Sequence, residues 1–400
     1  MSLVPLTLAG ASLAIWAVLV FARGGFWRAR ERLDDRVHPR VPWPAVVAVV
    51  PARDEAGVIG RTIASVVDQD YPGPLTVVLV DDHSTDGTAE LARLAAERRG
   101  RGERLRIVVS RPLPGGWTGK LWALSEGLDL AAREAPNAPF VWFTDADIEH
   151  DPDTLRSLVA KVSAEDRDLV SVMARLSCEG PWERLLVPPF VFFFAMLYPF
   201  AWVNDRRRRT AAAAGGCVLL RREALARAGG LAAIRGEIID DCALARAIKA
   251  RGREGGGSLW LGLTGRVRSV RPYTGLSGIW GMVARSAYTQ LRHSPVLLGL
   301  TIVGMILVYL VPPGLVLSAP WHENLPAAAL GALAWVLMTV AFMPMIRFYG
   351  LAPWRALLLP GAAVLYCAMT IDSAAAHGRG RGGAWKGRTQ GGSIGSDATF

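Results

Sequence analysis

The acidic residues that could do chemistry come together at three places: Asp54 with Glu55, Asp81 with Asp82, and Asp145 with Asp147. Each pair follows a short apolar run, residues 46–50, 75–80 and 140–143. Three carboxylate pairs around one crevice repel one another unless a cation or hydrogen-bond donors lie between them. In an extended Asp-x-Asp both carboxylates aim the same way, because side chains alternate with period two. Oxygen donors of this kind suit Mg²⁺ or Mn²⁺, commonly shared with substrate phosphates. Such an ion can neutralise a diphosphate leaving group. An isolated Asp-x-Asp arises often by chance or as a loop cap. Its weight here comes from its place after an apolar run and from two other acidic run ends.

Plainer readings stand beside this one. Asp54 and Glu55 could be helix N-terminal charges favoured by the dipole. Asp86 reads as a cap of the following helix, and His83 as a loop residue. Asp240 and Asp241 could be ordinary first-turn acids of a helix that runs to Lys249-Ala-Arg251-Gly252. Trp280 and Tyr288 could be interface anchors.

The elements that must position the acids follow from apolar spacing. Residues 46–50 read as a buried strand, and a helix follows through Ile59, Ile63 and Val66. A turn at 70–74 stops it. Residues 75–80 are the second strand, 81–87 its loop, and the next helix carries Leu91, Leu94 and Ala95 on one face. Residues 106–109 are a third strand, 121–132 a helix, and 140–143 a fourth strand. A further helix is expected to start at Asp151-Pro152, with Asp as N-cap and Pro in the first turn. Strands alternating with helices predict an α/β, Rossmann-like, mostly parallel sheet. In such sheets ligands bind at the carboxyl ends of the strands, where all three acidic pairs fall.

The 400 residues carry a net charge of +10, and hydrophobic residues make up 51% of them, clustered toward the ends. Lys occurs only at 120, 161, 249 and 386, so Arg supplies most of the charge. No basic stripe with interleaved aromatics supports a nucleic-acid partner. The basic clusters flank apolar runs, which points to an anionic membrane surface instead. Cys178, Cys217, Cys242 and Cys367 form no C-x-x-C pair, so neither a zinc site nor a disulfide framework is indicated.

Residues 3–21 are uncharged and long enough to span a bilayer. Positive charge follows this run at Arg23, Arg28, Arg30, Arg32 and Arg36 and does not precede it. That pattern favours an uncleaved anchor over a signal peptide, with the following residues in the cytoplasm. Residues 295–318, 326–346 and 351–371 are three more candidate spans, with interior prolines that bundles tolerate. If all three cross, the basic tail with Arg379, Arg381, Lys386 and Arg388 lies outside; if one is re-entrant, it lies inside. Residues 187–203 are apolar but contain Pro188, Pro189 and Pro199 and lead into Arg206–Arg209. They read as an interfacial segment, with a buried core hairpin as the alternative. The expected organisation is an anchor at 1–22, an α/β domain at 40–290, membrane segments at 295–372 and a flexible basic tail at 377–400.

These motifs have a familiar order. Pro51-Ala-Arg53-Asp54-Glu55, Val80-Asp81-Asp82-His-Ser84-Thr-Asp86-Gly87-Thr88, Gly119-Lys120 and Asp145-Ala-Asp147 resemble the family-2 glycosyltransferases of GT-A fold. Gly215-Gly216-Cys-Val-Leu-Leu-Arg-Arg-Glu223 and Asp240-Asp241-Cys-Ala-Leu244 continue that resemblance, which covers about residues 45–290. The anchor, the Arg run before Thr210-Ala-Ala-Ala-Ala-Gly-Gly, and Trp385-Lys-Gly-Arg388 look like the hopene-associated glycosyltransferases. Ceramide glucosyltransferases are a more distant likeness.

The resemblance implies a nucleotide-sugar donor, a Mg²⁺ or Mn²⁺ ion and a multi-pass protein of the bacterial inner membrane with a cytoplasmic catalytic domain. Arg53, Asp54 and Glu55 would line the nucleotide pocket, Asp82 with Asp81 beside it would contact the base, and Lys120 would lie near the diphosphate. Asp145 would face the ribose, Asp147 would hold the metal, and Asp241 would be the general base of an inverting transfer. Processive members carry Gln-x-x-Arg-Trp after the base. Here the corresponding stretch is Met282-Val-Ala-Arg285-Ser286, so only Arg285 remains, as a candidate diphosphate contact. A single transfer to a lipid hydroxyl, with a hopanoid as candidate, is the expected reaction. Transfer to polyprenyl phosphate and a non-catalytic membrane scaffold are the alternatives.

Overall fold

Strands with no polar face form the middle of the sheet. All of β1 (Val46–Ala52) is buried, and so is β2 (Leu75–Asp81) apart from Thr76. The computed structural model describes residues 3–33, 43–251, 257–380, 382, 384–385 and 388–389. The expected domain start at 40, Arg36, Arg381, Lys386 and the tail beyond 389 lie outside the described residues.

Within these limits β1 and β2 join β3 (Leu105–Val109), β4 (Phe140–Thr144), β5 (Ile148–His150), β6 (Leu169–Arg175), β7 (Cys217–Arg221) and β8 (Leu259–Ser269). They form one eight-stranded sheet in the order β3-β2-β1-β4-β7-β6-β8-β5. The run β3-β2-β1-β4 is wholly parallel, as the helical crossovers between these strands require. Beyond it the sheet is mixed: β7 is antiparallel to both β4 and β6, β6 and β8 are parallel, and β5 is antiparallel to β8.

Helix Ile59–Val67 buries Ile59, Ile63 and Val66, as its spacing predicts. Helix Thr88–Arg98 turns a different face inward than expected. It buries Thr88, Ala92 and Ala96, while Leu91 and Leu94 are exposed. Small residues let this helix approach its neighbours closely. Helix Gly119–Glu134 packs on β1 and β2 through Gly127, where a Cβ would meet Val49 at 2.3 Å and Val80 at 3.0 Å. The helix expected from Asp151-Pro152 begins at Thr154. Its N-terminal acids are taken by arginines at the end of β8: Asp151 pairs with Arg268, and Asp153 accepts from Arg266 at 2.7 Å. Ion pairing has displaced side-chain capping there.

The chain divides into two compact units. One comprises Arg23–Glu179 and Phe190–Pro272 and holds the eight-stranded sheet; the other comprises Met1–Ala22, Gly180–Pro189 and Tyr273–Phe400. Among the described residues, four helical segments are long and apolar enough to cross a membrane: Leu3–Ala22, Pro295–Leu317, Leu325–Phe348 and Pro353–Gly378. Pro312 has no N–H to give Val308, four residues earlier, and the helix forms a π-turn at Ile306–Leu310. The Val308 carbonyl accepts instead from the Trp16 indole at 2.8 Å, so the proline gap is filled from helix Leu3–Ala22.

The segment with Pro188 and Pro189 is a continuous helix, Pro181–Leu197, followed by a short one, Phe200–Asn204. Leu186, Val187, Val191, Phe192 and Val203 are all buried, so one face of it packs within the protein. Within the sheet-bearing unit Phe192 contacts Phe26 at a centroid distance of 5.2 Å.

The Gly127 contact sets a stability test. Gly127→Ala should destabilise the chain by about 1–3 kcal/mol, the usual scale for overpacking a core. A thermal unfolding midpoint of the solubilised protein unchanged from wild type would show that Val49 and Val80 give way freely.

Candidate active site

The carboxyl ends of β1, β2 and β4 bring the three acidic groups to one edge of the sheet, and each group has its own partners. At the end of β1, Arg53 donates from Nη1 to the Asp82 carbonyl at 2.6 Å and lies 3.4 Å from the Asp82 carboxylate. Asp82 is buried and accepts a further bond from Ser110 Oγ at 3.1 Å. Arg53 Nε is buried and has no partner among the described residues. Arg53 thus places a planar cationic donor beside a buried carboxylate at this strand end.

Asp54 and Asp81 do something different. Asp54 lies in the left-handed region, at φ 49°. Its carboxylate accepts from Thr85 N at 2.8 Å, and its own N–H donates to Ser84 Oγ at 3.0 Å. Asp81 accepts from Ser84 N at 3.0 Å. Together they staple the loop after β1 to the loop after β2. Asp86 belongs to the same staple, accepting from Ala56 N at 2.9 Å and Thr88 N at 3.1 Å.

Glu55 is not a helix-end charge. Its carboxylate pairs with Arg271, two residues beyond β8, and the same guanidinium donates from Nε to Asp147 Oδ2 at 2.9 Å. One cation therefore bridges the acidic ends of β1 and β4. The bridge is built by β5 pairing with β8, and by Val270 N donating to the Asp147 carbonyl at 2.8 Å. Burial opposes the charge on Arg271, but the hydrogen bond to Asp147 and the charge of Glu55 outweigh it and raise the guanidinium pKa.

A second cation does the same on the other side. Lys120, in the first turn of helix Gly119–Glu134, lies 2.9 Å from Asp145 and 3.2 Å from Asp240. Burial pulls its pKa down, yet Asp145 and Asp240 more than reverse that, so it stays charged. Asp241 accepts from Gly215 N at 2.8 Å and Cys242 N at 2.6 Å, at the N-terminus of helix Asp240–Ala250. Gly215 is close to the site: a Cβ there would lie 3.1 Å from Lys120 Nζ and 3.4 Å from Asp241 Oδ2. Burial and the charge of Asp240 push the Asp241 carboxyl up to about 6, against Lys120 and the two backbone donors. A carboxylate held near that value is a stronger base than an exposed one.

Behind these groups, Thr144 Oγ1 donates to the Gly216 carbonyl at 3.0 Å and lies 2.7 Å from His150 Nε2. Burial pushes His150 down to about 3, so it is a neutral strut under the Asp145–Asp147 turn.

Among the described residues no three His, Cys, Asp or Glu side chains converge as a metal cage. A sparse protein donor set suits Mg²⁺ or Mn²⁺, which takes most of its ligands from phosphates and water. The place beside Asp147 already holds a positive group, the Arg271 guanidinium, so the acid fits a cation there.

The structure thus assembles Arg53, Asp54, Glu55, Asp81, Asp82, Lys120, Asp145, Asp147 and Asp241 in the sheet-bearing unit. Arg285, the other expected contact, belongs to the other unit and caps helix Gly275–Ala284. Sequence reasoning missed Arg271. Its only local signal is a basic residue just after a long apolar strand.

Residues 47–229 match the family described as glycosyl transferase family 2. The chain is 29% identical over 191 residues to an N-acetylglucosaminyltransferase of Rhizobium meliloti (strain 1021), covering 46% of this chain and 41% of that protein. It therefore spans about two fifths of that relative's length. Among solved structures it is similar to the mannosyltransferase PcManGT from Pyrobaculum calidifontis, in complex with GDP-Man and Mn²⁺. That match has 22% identity and a TM-score of 0.49, covering 92% of this chain and 98% of that one. Glucosyl-3-phosphoglycerate synthase from Mycobacterium tuberculosis, in complex with Mn²⁺, UDP-Glc and phosphoglyceric acid, is similar at 20% identity and a TM-score of 0.41. That match covers 66% of this chain and 86% of the synthase. The mixed α/β sheet is the GT-A fold expected from the motifs.

The raised Asp241 carboxyl makes a signed prediction. Its folded value of about 6 exceeds the ordinary 3.8, so the folded chain binds the extra proton in that window. The stability this group contributes is full below about 3.8 and is lost as pH rises through about 6. The melting temperature of wild type relative to Asp241→Asn should fall across that interval. Parallel melting curves for the two proteins from acid to neutral pH would contradict the shift.

Proposed function

We propose, since residues 47–229 match glycosyl transferase family 2, that this chain is a membrane-held inverting glycosyltransferase. It moves a sugar from a nucleotide-sugar donor to a lipid hydroxyl, with a hopanoid as candidate acceptor. One observation carries the reading: acids from three strand ends and the Asp240-Asp241 pair share one edge with internal cations between them. A polar diphosphate flanked by a base-binding end and an acceptor end needs that set of charges.

In this mechanism Arg53 and Asp82 hold the nucleobase, while Asp54 and Asp81 shape the loops around it. Asp145 faces the ribose, and Lys120 offers positive charge to the diphosphate. A Mg²⁺ or Mn²⁺ ion on Asp147 would supply the counter-charge that a leaving diphosphate needs. Asp241 takes the proton of the acceptor hydroxyl as that oxygen attacks the sugar carbon, and direct displacement inverts the centre. The four long apolar helices support a membrane lipid as acceptor. The arginines that follow the first of them support a cytoplasmic catalytic domain at the bacterial inner membrane. The basic Arg206–Arg209 stretch suits anionic headgroups.

Two measurements test this. Asp241→Asn keeps the size and removes the basic oxygen, so lipid glycosylation by membranes given radiolabelled nucleotide sugar should fall about 10²-fold or more. Donor binding should be retained. Undiminished transfer to a purified hydroxyl lipid would move the base role to Asp240, and a small drop with polyprenyl phosphate alone would favour the phosphate acceptor. The second measurement is orientation. A reporter inserted beside Gly100, in the exposed turn after helix Thr88–Arg98, should read as cytoplasmic. A signal from the opposite side would rule out cytosolic donors.

A further inference from the structure

Among the described residues, Arg271 is the one cation of the site that joins two separate acidic strand ends through a single planar group. Its Nε bonds Asp147 and its Nη2 bonds Glu55, which is 9% exposed at the side chain. It is delivered by β8 from 124 residues away in sequence. Resting on the donor-site reading above, we propose that Arg271 is an internal counter-ion that occupies the cation position between Glu55 and Asp147 and is exchanged for a divalent metal only when a nucleotide diphosphate arrives with it.

The argument is one of charge. Glu55, Asp147 and Arg271 together carry a single net negative charge. A free divalent ion approaching Asp147 meets a guanidinium already holding that carboxylate, and the two cations compete for one acid. Displacing the guanidinium without a new anion would leave a half-buried positive group with one partner fewer, which is costly. A metal bound to a diphosphate is different. Its charge is largely cancelled, and its phosphate oxygens offer the released guanidinium the planar, two-point partner that arginine favours. Arg271 therefore excludes the bare ion and accepts the ion together with the diphosphate. It acts on metal loading as a positioning residue and does not touch the acceptor.

The test uses the full-length protein in nanodiscs, with Mn²⁺ binding followed by the electron paramagnetic resonance signal of the free ion and no sugar transfer in the readout. Wild type should bind Mn²⁺ weakly alone and at least about tenfold more tightly with a nucleoside diphosphate present. Arg271→Met should bind Mn²⁺ alone about tenfold or more tightly than wild type, because no guanidinium then competes with the ion for Asp147. Arg271→Lys, which keeps the charge but loses the planar two-point fork, should fall between them and carries the test if the Met variant does not fold. Adding Asp147→Asn to Arg271→Met should erase the gain. The proposal is overturned if neither Arg271 variant binds Mn²⁺ more tightly than wild type, or if the gain survives Asp147→Asn. Nucleotide-sugar binding to wild type, measured separately with Mn²⁺ present, reports on the donor site itself, so its failure would be distinguished from failure of the exchange.

Discussion

Carboxylates collected at one edge of a sheet repel each other, and in a half-buried crevice that repulsion is strong enough to decide what else must be there. This chain meets the constraint with its own cations. Arg53 faces Asp82, Lys120 lies between Asp145 and Asp240, and Arg271 lies between Glu55 and Asp147. Each bridge joins elements far apart in sequence, so neutralising the site and closing the fold are the same set of contacts. β5 is short, Ile148–His150, but it buries Ile148 in the core and His150 against Trp142. Its pairing with β8 also carries Arg271 to Asp147.

The acids are not equivalent, although the sequence presents them as similar pairs. Asp54 and Asp81 spend their oxygens on the Ser84–Thr85 backbone and hold two loops together. Asp82, Asp145, Asp147 and Glu55 face cations. In the first two pairs, the residue that bonds the Ser84–Thr85 backbone holds the loops and its neighbour pairs with a cation, whereas Asp145 and Asp147 both face cations. Asp240 and Asp241 divide as the first two pairs do. Asp240 faces Lys120, while Asp241 is fixed by Gly215 and Cys242. Fixing is what a general base needs, because an oxygen held in place and raised in pKa keeps a defined direction for the proton it takes.

Much of this was legible in the sequence. Apolar runs ending in acids give β1, β2 and β4, and their alternation with helices gives the parallel half of the sheet, because strand and helix periodicities are local properties. The long apolar helices were equally plain from composition. What was hidden depends on distant partners. Arg271 has no local pattern that ties it to Asp147, and β5 is too short for any periodicity to mark. Leu91 and Leu94 have helical spacing, yet Ala92 and Ala96 face inward, since close packing on the neighbouring helix favours small residues over large ones. Asp151-Pro152 is a sound helix start by local rules, but the β8 arginines draw Asp151 and Asp153 into ion pairs, and the helix begins at Thr154.

The same reasoning explains why glycine at 215 matters to charge as well as to backbone shape. The space a Cβ would fill is bounded by Lys120 Nζ and the Asp241 carboxylate, so a side chain there would crowd the cation and the candidate base. Gly215 also donates its N–H to Asp241, so one residue supplies both the gap and a hydrogen bond. Thr144 ties the neighbouring Gly216 carbonyl to the strand that ends in Asp145. The β4–β7 junction thereby sets the distance between the acid expected to face the ribose and the acid expected to take the acceptor's proton. On the proposal made for Arg271, a ligand enters such a site by exchanging ionic partners while the strands stay in place.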